Sequence, residues 1–104
     1  PQFSGTLFKK SPVFPHPWQK RTVMISGGSL FYESGNGSQK GISLVEVEAI
    51  RMVDVTTFEF LIQTRTKSYV FRAPDRAQAM DWVFRLQRIH QGEGDRTDQE
   101  LYGV

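Results

Sequence analysis

The chain contains no cysteine. Disulfides and thiolate-bound metals are therefore excluded, which fits a reducing, cytoplasmic setting. Only two histidines occur, His16 and His90, and two isolated imidazoles do not make a metal site. No apolar run approaches the ~20 residues needed to span a bilayer, and no charged-then-apolar leader opens the sequence. No nucleophile-elbow motif appears. Gly27-Gly28 and Gly35-x-Gly37 read as hairpin glycines, not as a phosphate loop opening a helix. Nearly every aromatic falls on an expected core face, which argues against a stacking platform for single-stranded nucleic acid. The expectation is a non-catalytic module with no metal, no cofactor and no nucleic-acid partner.

What is present is an ordinary globular composition. The 104 residues are 38% hydrophobic and 23% charged, with a net charge of +2. That suits one monomeric domain with a modest core. The charge is uneven. Residues 1–72 hold nine Lys/Arg and five Asp/Glu (+4), whereas residues 73–104 hold four Arg and six Asp/Glu (−2). This polarity can orient a domain toward an anionic partner, although a solvated surface accounts for it equally.

One strong helical pattern exists, between Ala73 and Gln91. Pro74 disfavours helical geometry at Ala73. Asp75 is placed to cap the free N–H groups, with Gln78 three residues on to complete a capping box. Ala79, Trp82, Val83, Leu86 and Ile89 then recur at i, i+3, i+4 spacing as one apolar stripe. Gly92 supplies the left-handed stop. His90 is expected to act electrostatically on the helix C-terminus.

Everything before this helix reads as strands. Gly5 to Lys10 is the first, with Leu7 and Lys9 on one face and Phe8 and Lys10 on the other. Ser11 to Pro17 carries three prolines and forms a loop. In Gln19 to Ser26, residues Gln19, Arg21, Val23 and Ile25 share a face. Gly27-Gly28 turns the chain into Ser29 to Ser34, where Leu30 and Tyr32 share a face. Gly35 to Ser38 is a flexible loop, and Gly41 to Leu44 a short fourth strand. Val45 to Val53 alternates like a strand although its Glu and Ala content suits helix; strand is favoured. Phe58 to Arg65 aligns Phe58, Phe60, Ile62 and Thr64, and Lys67 to Ala73 aligns Tyr69, Phe71 and Ala73. Seven strands at hairpin spacing imply an antiparallel meander folded on itself, with the helix plugging one opening.

The run from Gly5 to Gln91 resembles a pleckstrin homology (PH) domain. The matching pieces are Gly5-x-Leu7-x-Lys9, Trp18-x-x-Arg21, Leu30-Phe31-Tyr32 and Lys40-Gly41-Ile42-x-Leu44. Phe60-x-Ile62-x-Thr64, Tyr69-x-Phe71-x-Ala73 and Trp82-Val83-x-x-Leu86-Gln87 follow in order. The resemblance implies a mostly β fold: a partly open barrel of two nearly orthogonal antiparallel sheets, four strands and three, capped by one C-terminal helix. It divides the chain into a PH-like domain over residues 3–91 and a flexible tail or linker over residues 92–104.

The resemblance also implies a function, the binding of phosphoinositide headgroups at the end opposite the helix. Lys9 matches the basic residue that ends the first strand in lipid-binding members. Arg21 matches the last of two alternating basic positions in the second strand, and Gln19 occupies the other. Tyr32 matches a third-strand tyrosine that donates to phosphate. Gln19 still offers a donor but forfeits the charge-assisted part of the bond, about 1 kcal/mol or more. Pro12, Pro15 and Pro17 lack the backbone N–H groups that cradle phosphates. Weak or unselective binding is therefore expected. Lys10, Lys20 and Lys40, with Arg65 or Lys67, extend a basic rim, and Phe14 is a candidate membrane contact.

Two readings stand. One is a phosphoinositide or anionic-membrane module that recruits a larger protein as a cytoplasmic, peripheral membrane component. The other is a scaffold of the same shape that holds a peptide or small GTPase with little lipid binding. In the tail, Tyr102 follows acidic residues in the manner of a phosphorylation site, or of a simple linker.

Overall fold

The computed structural model describes residues 3–11 and 17–92. Phe14, His16 and the tail with Tyr102 lie outside the described residues. Seven strands precede one helix: β1 (Phe3–Lys10), β2 (Trp18–Ser26), β3 (Ser29–Glu33), β4 (Gln39–Ser43), β5 (Val47–Asp54), β6 (Glu59–Thr64), β7 (Ser68–Arg72) and α1 (Arg76–His90). All neighbouring strands are antiparallel, in the order β4-β3-β2-β1-β7-β6-β5. The four-strand and three-strand groups are joined into one sheet at β1. That strand pairs with β2 along its whole length but meets β7 only at Phe8↔Arg72 and Lys9↔Phe71.

Local chemistry explains the turns. Gly27 and Gly28 have φ of 58° and 81°, the left-handed pair that a two-residue hairpin matching the strand twist requires. The Gly35–Ser38 segment, expected as a flexible loop, is a hydrogen-bonded turn. The Ser34 N–H donates to the Ser38 carbonyl, and the Asn36 Oδ1 accepts from the Ser38 N–H and from both serine hydroxyls. An asparagine that hydrogen-bonds its own backbone two residues on makes such a turn locally.

Several expected boundaries move. Leu44, assigned to the fourth strand, opens a single 3-10 turn over Leu44–Glu46. The mixed signal of the next segment thus resolves in order, a helical turn first and then β5. Phe58, expected inside the sixth strand, sits instead in the left-handed region at φ 62°. It closes the β5–β6 turn, and its carbonyl accepts from the Ala73 N–H at the approach to the helix. Leu61, on the face opposite the Phe60 and Ile62 positions, is also buried.

The helix starts as its residues dictate. The Asp75 carboxylate accepts from the Gln78 N–H at 2.8 Å, and the Gln78 side-chain amide donates back to the same carboxylate at 3.0 Å. The expected box closes on the Asp75 side chain rather than on its backbone. Gly92, at φ 86°, ends the helix, its N–H donating to the Ile89 carbonyl. Gln87 donates to the Ile50 carbonyl of β5 at 2.7 Å, and the His90 Nδ1 lies 2.9 Å from the Leu44 carbonyl. His90 therefore ties the helix end to the 3-10 turn through a direct contact.

The centre of the packing is Trp82. It is 2% exposed and meets Phe3 edge-on at 4.8 Å between ring centroids. A Cβ added at Gly5 would lie 3.3 Å from the Trp82 ring, so the helix approaches β1 closely because position 5 has no side chain. Leu7, Val23, Leu30, Phe60, Ile62, Phe71 and Leu86, all 0% exposed, fill the interior beneath. Replacing Trp82 with Ala should cost about 3–5 kcal/mol through the cavity left behind. Gly5→Ala should cost about 1–3 kcal/mol by overpacking against a rigid ring. Denaturant unfolding of the two variants checks both, with Gly5→Ser expected to be at least as harmful as Gly5→Ala.

Candidate functional site

Side chains on the inner face of the sheet change character along each strand, and in the same direction. From the helix-covered end, β1 runs Gly5, Leu7, Lys9, and β2 runs Ile25, Val23, Arg21, Gln19. On β3 the order is Leu30 then Tyr32, and on β4 Ile42 then Lys40. Along β7 it is Phe71 then Tyr69, with Ala73 just after the strand and Lys67 in the preceding turn. The registers bring these ends together: Lys9 lies opposite Gln19 on one side and Phe71 on the other, and Tyr32 lies opposite Val23 and Lys40. Gly5 and Lys9, four residues apart on one strand, are separated by about 13 Å. The cations therefore gather at the end that Trp82 does not cover.

Lys9 is the centre of this cluster. Its Nζ stands 5.4 Å from the Tyr32 ring centroid and 5.9 Å from that of Tyr69, and Lys67 Nζ lies 5.0 Å from the Tyr69 centroid. The rings belong to the core, with Tyr32 packed edge-on to both Tyr69 and Phe71. Partial burial holds the Lys9 ammonium below its ordinary pKa, and the positive charges of Lys67, Arg21 and Lys40 lower it further. No carboxylate offsets them: among the described residues the one ion pair, Arg85–Asp81 at 3.2 Å, is on the helix. Burial also raises the Tyr32 phenol, with Tyr69 adding to the rise and Arg21 opposing it. Tyr32 thus keeps its hydroxyl donor at neutral pH.

Arg21 is held by its neighbours. One guanidinium nitrogen donates to the Gln19 Oε1 at 2.5 Å and another to the Lys20 carbonyl at 2.8 Å. Gln19, where a second basic residue was the alternative, therefore orients Arg21 and adds no charge. Gly35 at the start of the Ser34–Ser38 turn leaves room for the guanidinium, since a Cβ there would lie 3.3 Å from it. The tight turn before β7 is fixed by Thr64, whose N–H and hydroxyl both donate to the Lys67 carbonyl.

Of the expected site residues, Lys9, Gln19, Arg21, Tyr32 and Lys40 come together. Lys10 and Lys20 do not join them. Both are exposed on the outer face, where Lys10 pairs with Trp18 and Lys20 with Phe8 across β1 and β2. There Arg72 lies 4.5 Å from the Trp18 ring and 5.4 Å from Phe8, beside Glu59. Trp18 is thus a stacking platform for Arg72 on the strand surface. Arg65 borders a separate concavity with Val45, Glu46 and Thr64. Tyr69 is the member that sequence reasoning placed only in the core. The alternation aligning Tyr69, Phe71 and Ala73 carries back to Lys67, and that was the available signal.

The structure is an antiparallel seven-stranded sheet, plugged at one end by a tryptophan-bearing helix and cationic at the other. The family model described as PH domain matches residues 1–91, and the chain belongs to the PH-domain family. It is 35% identical over 92 aligned positions to human Src kinase-associated phosphoprotein 1, covering 76% of this chain and 25% of that protein. The chain therefore spans a quarter of the length of that curated relative. The solution structure of the N-terminal PH domain of human ARAP2 superposes with a TM-score of 0.74 at 27% identity, covering 88% of this chain and 81% of that one. The C-terminal PH domain of pleckstrin, crystallised with D-myo-Ins(1,2,3,5,6)P5, shares the fold with a TM-score of 0.71 at 19% identity, covering 85% and 93%. No helix among the described residues is long and apolar enough to cross a membrane, and none of their His, Asp and Glu side chains group as metal ligands.

The state of Lys9 gives a pH dependence. Its charge is lost on the acid side of the ordinary lysine value of 10.5, so anion binding should weaken from a lower pH than an ordinary lysine would allow. The sign for stability is opposite. A lysine with a depressed folded-state pKa opposes folding below that pKa, and the penalty fades as pH rises toward 10.5. Affinity for inositol hexakisphosphate measured from pH 7 to 10 should fall in wild type and stay flatter in Lys9→Arg.

Proposed function

We propose that this domain binds phosphorylated inositol headgroups and, through them, anionic membrane surfaces, as the peripheral targeting module of a larger protein. The observation that carries the reading is the convergence of Lys9, Arg21, Lys40 and Lys67 around two tyrosine rings with no carboxylate among the described residues ion-paired to them. Crowded like charges destabilise one another until an anion relieves them, and functional sites are where such perturbation concentrates. Arg21 offers a planar donor for phosphate oxygens, the lysines offer mobile point charges, and the Tyr32 hydroxyl is a neutral donor. The inositol phosphate held by the pleckstrin neighbour belongs to the same ligand class. Because Gln19 and the Lys20 carbonyl each engage one guanidinium nitrogen of Arg21 and Gln19 contributes no charge, binding is of modest affinity and low headgroup selectivity. Lys10, Lys20 and Arg72 on the outer face serve as general attraction to the leaflet, each worth about 1 kcal/mol near an anionic surface.

A second reading, a protein-interaction module, is favoured by the solvent face of α1. Met80 and Phe84, one turn apart, are 48% and 57% exposed, and Arg88 lies 5.5 Å from the Phe84 ring. Such a face suits a peptide or small-GTPase surface.

Sedimentation with vesicles containing polyphosphorylated inositides distinguishes the two. Bound protein should fall steeply as salt rises from 50 to about 300 mM. The double variant Lys9→Ala/Arg21→Ala should lose at least about tenfold in affinity, as two charge-assisted contacts of 1 kcal/mol or more imply, while Met80→Ser/Phe84→Ser leaves it unchanged. Absence of binding at low salt, or retention by the double variant, would reject the lipid reading.

A further inference from the structure

The surroundings of Lys9 suit an amine nucleophile as well as a cation site. Five lysines occur in the chain. Lys10, Lys20, Lys40 and Lys67 are exposed, whereas Lys9 is only partly so. Every element around its Nζ presents an aromatic ring or another cation: Arg21 from β2, Tyr32 from β3, Lys40 from β4, and Lys67 and Tyr69 from the β7 side. Desolvation and cationic neighbours are the two means by which a protein keeps a lysine amine unprotonated and reactive. The ring faces pull the other way, since they favour the ammonium, but three neighbouring cations and no described carboxylate outweigh two partly exposed cation–π contacts. The same cations attract whatever carries phosphate.

We propose that Lys9 is a covalent modification site for small phosphate-bearing aldehydes, and that the modification closes the anion site. The phosphate settles among Arg21, Lys40 and Lys67, which presents the carbonyl carbon to Lys9. The Nζ lone pair attacks that carbon, a proton moves from nitrogen to oxygen, and the carbinolamine loses water to give an imine. No electrons are exchanged with a third reagent, and hydrolysis reverses the step. The adduct leaves its own phosphate in the cluster, so a headgroup is excluded while the imine persists. Only the delivery of the reagent rests on the anion-binding reading; the reactivity of the amine does not.

The test uses the full chain with pyridoxal phosphate as probe, limiting reagent at pH 7, borohydride to fix the imine, and peptide mapping of all five lysines. A lowered pKa raises the free-amine fraction by more than it lowers intrinsic nucleophilicity, because the Brønsted dependence is less than proportional. Lys9 should therefore label faster than Lys10 or Lys20. Arg21→Gln should slow labelling at Lys9 and leave Lys10 unaffected. Inositol hexakisphosphate should protect Lys9, and pyridoxal, which has no phosphate, should label it more slowly. Preferential labelling of Lys9 without such protection would sustain the modification site and remove the headgroup reading. Labelling spread evenly over the lysines, or led by Lys10, Lys20 or Lys40, overturns the proposal.

Discussion

The close approach of Trp82 to Gly5 is the constraint on which the rest depends. An amphipathic helix after seven strands must bury its stripe somewhere, and Gly5, a β1 position without a side chain, admits the largest ring in that stripe. Phe3 closes the contact from one side, and Arg85, 3.9 Å from the Phe3 ring, covers it. With one end of the sheet sealed, apolar residues on the inner face concentrate there, and polar ones on the same strands are left at the other end. The cationic cluster is thus the far terminus of the same alternation that builds the core.

That terminus works against the stability of the fold in a small way. Lys9 is held among like charges with part of its hydration removed, and no ion pair with a carboxylate among the described residues relieves it. Structures retain such groups where a ligand supplies the missing charge. Neighbouring features keep the arrangement in place: the Thr64 turn positions Lys67, Gln19 orients Arg21, and the Ser34–Asn36–Ser38 turn borders the guanidinium. The outer face carries a separate set of cations around Trp18, stacked on aromatics and close to Glu59. The two sets are separated by the sheet itself, so a ligand on one does not reach the other.

Period-two patterning made much of this legible in advance. The strands and the core faces follow from alternation, and the helix from Asp75, its apolar stripe and Gly92. The shared face of Lys9 with Leu7, and of Arg21 with Val23, follows from the same rule. Faces are easier to read than places. Alternation also placed Lys10 and Lys20 on the outer face, where the structure has them, so counting them toward one rim with Lys9 joined two different surfaces. Phe58 looked like a strand residue because it continues an alternation; the left-handed conformation it adopts depends on the Ala73 N–H reaching its carbonyl, a partner 15 positions away. Leu44 begins a 3-10 turn because its N–H donates to the Gly28 carbonyl of a distant hairpin. Tertiary partners of that kind leave no periodic trace.

The central claim, that cations from four separate segments form one anion site at the uncovered end, is tested most directly by mapping backbone amide shifts during titration with a soluble inositol polyphosphate. The account predicts that the perturbed amides are those of Lys9, Gln19, Arg21, Tyr32, Lys40, Lys67 and Tyr69, with α1 silent. Perturbations centred on Lys10, Trp18 and Arg72, or on the helix, would contradict it.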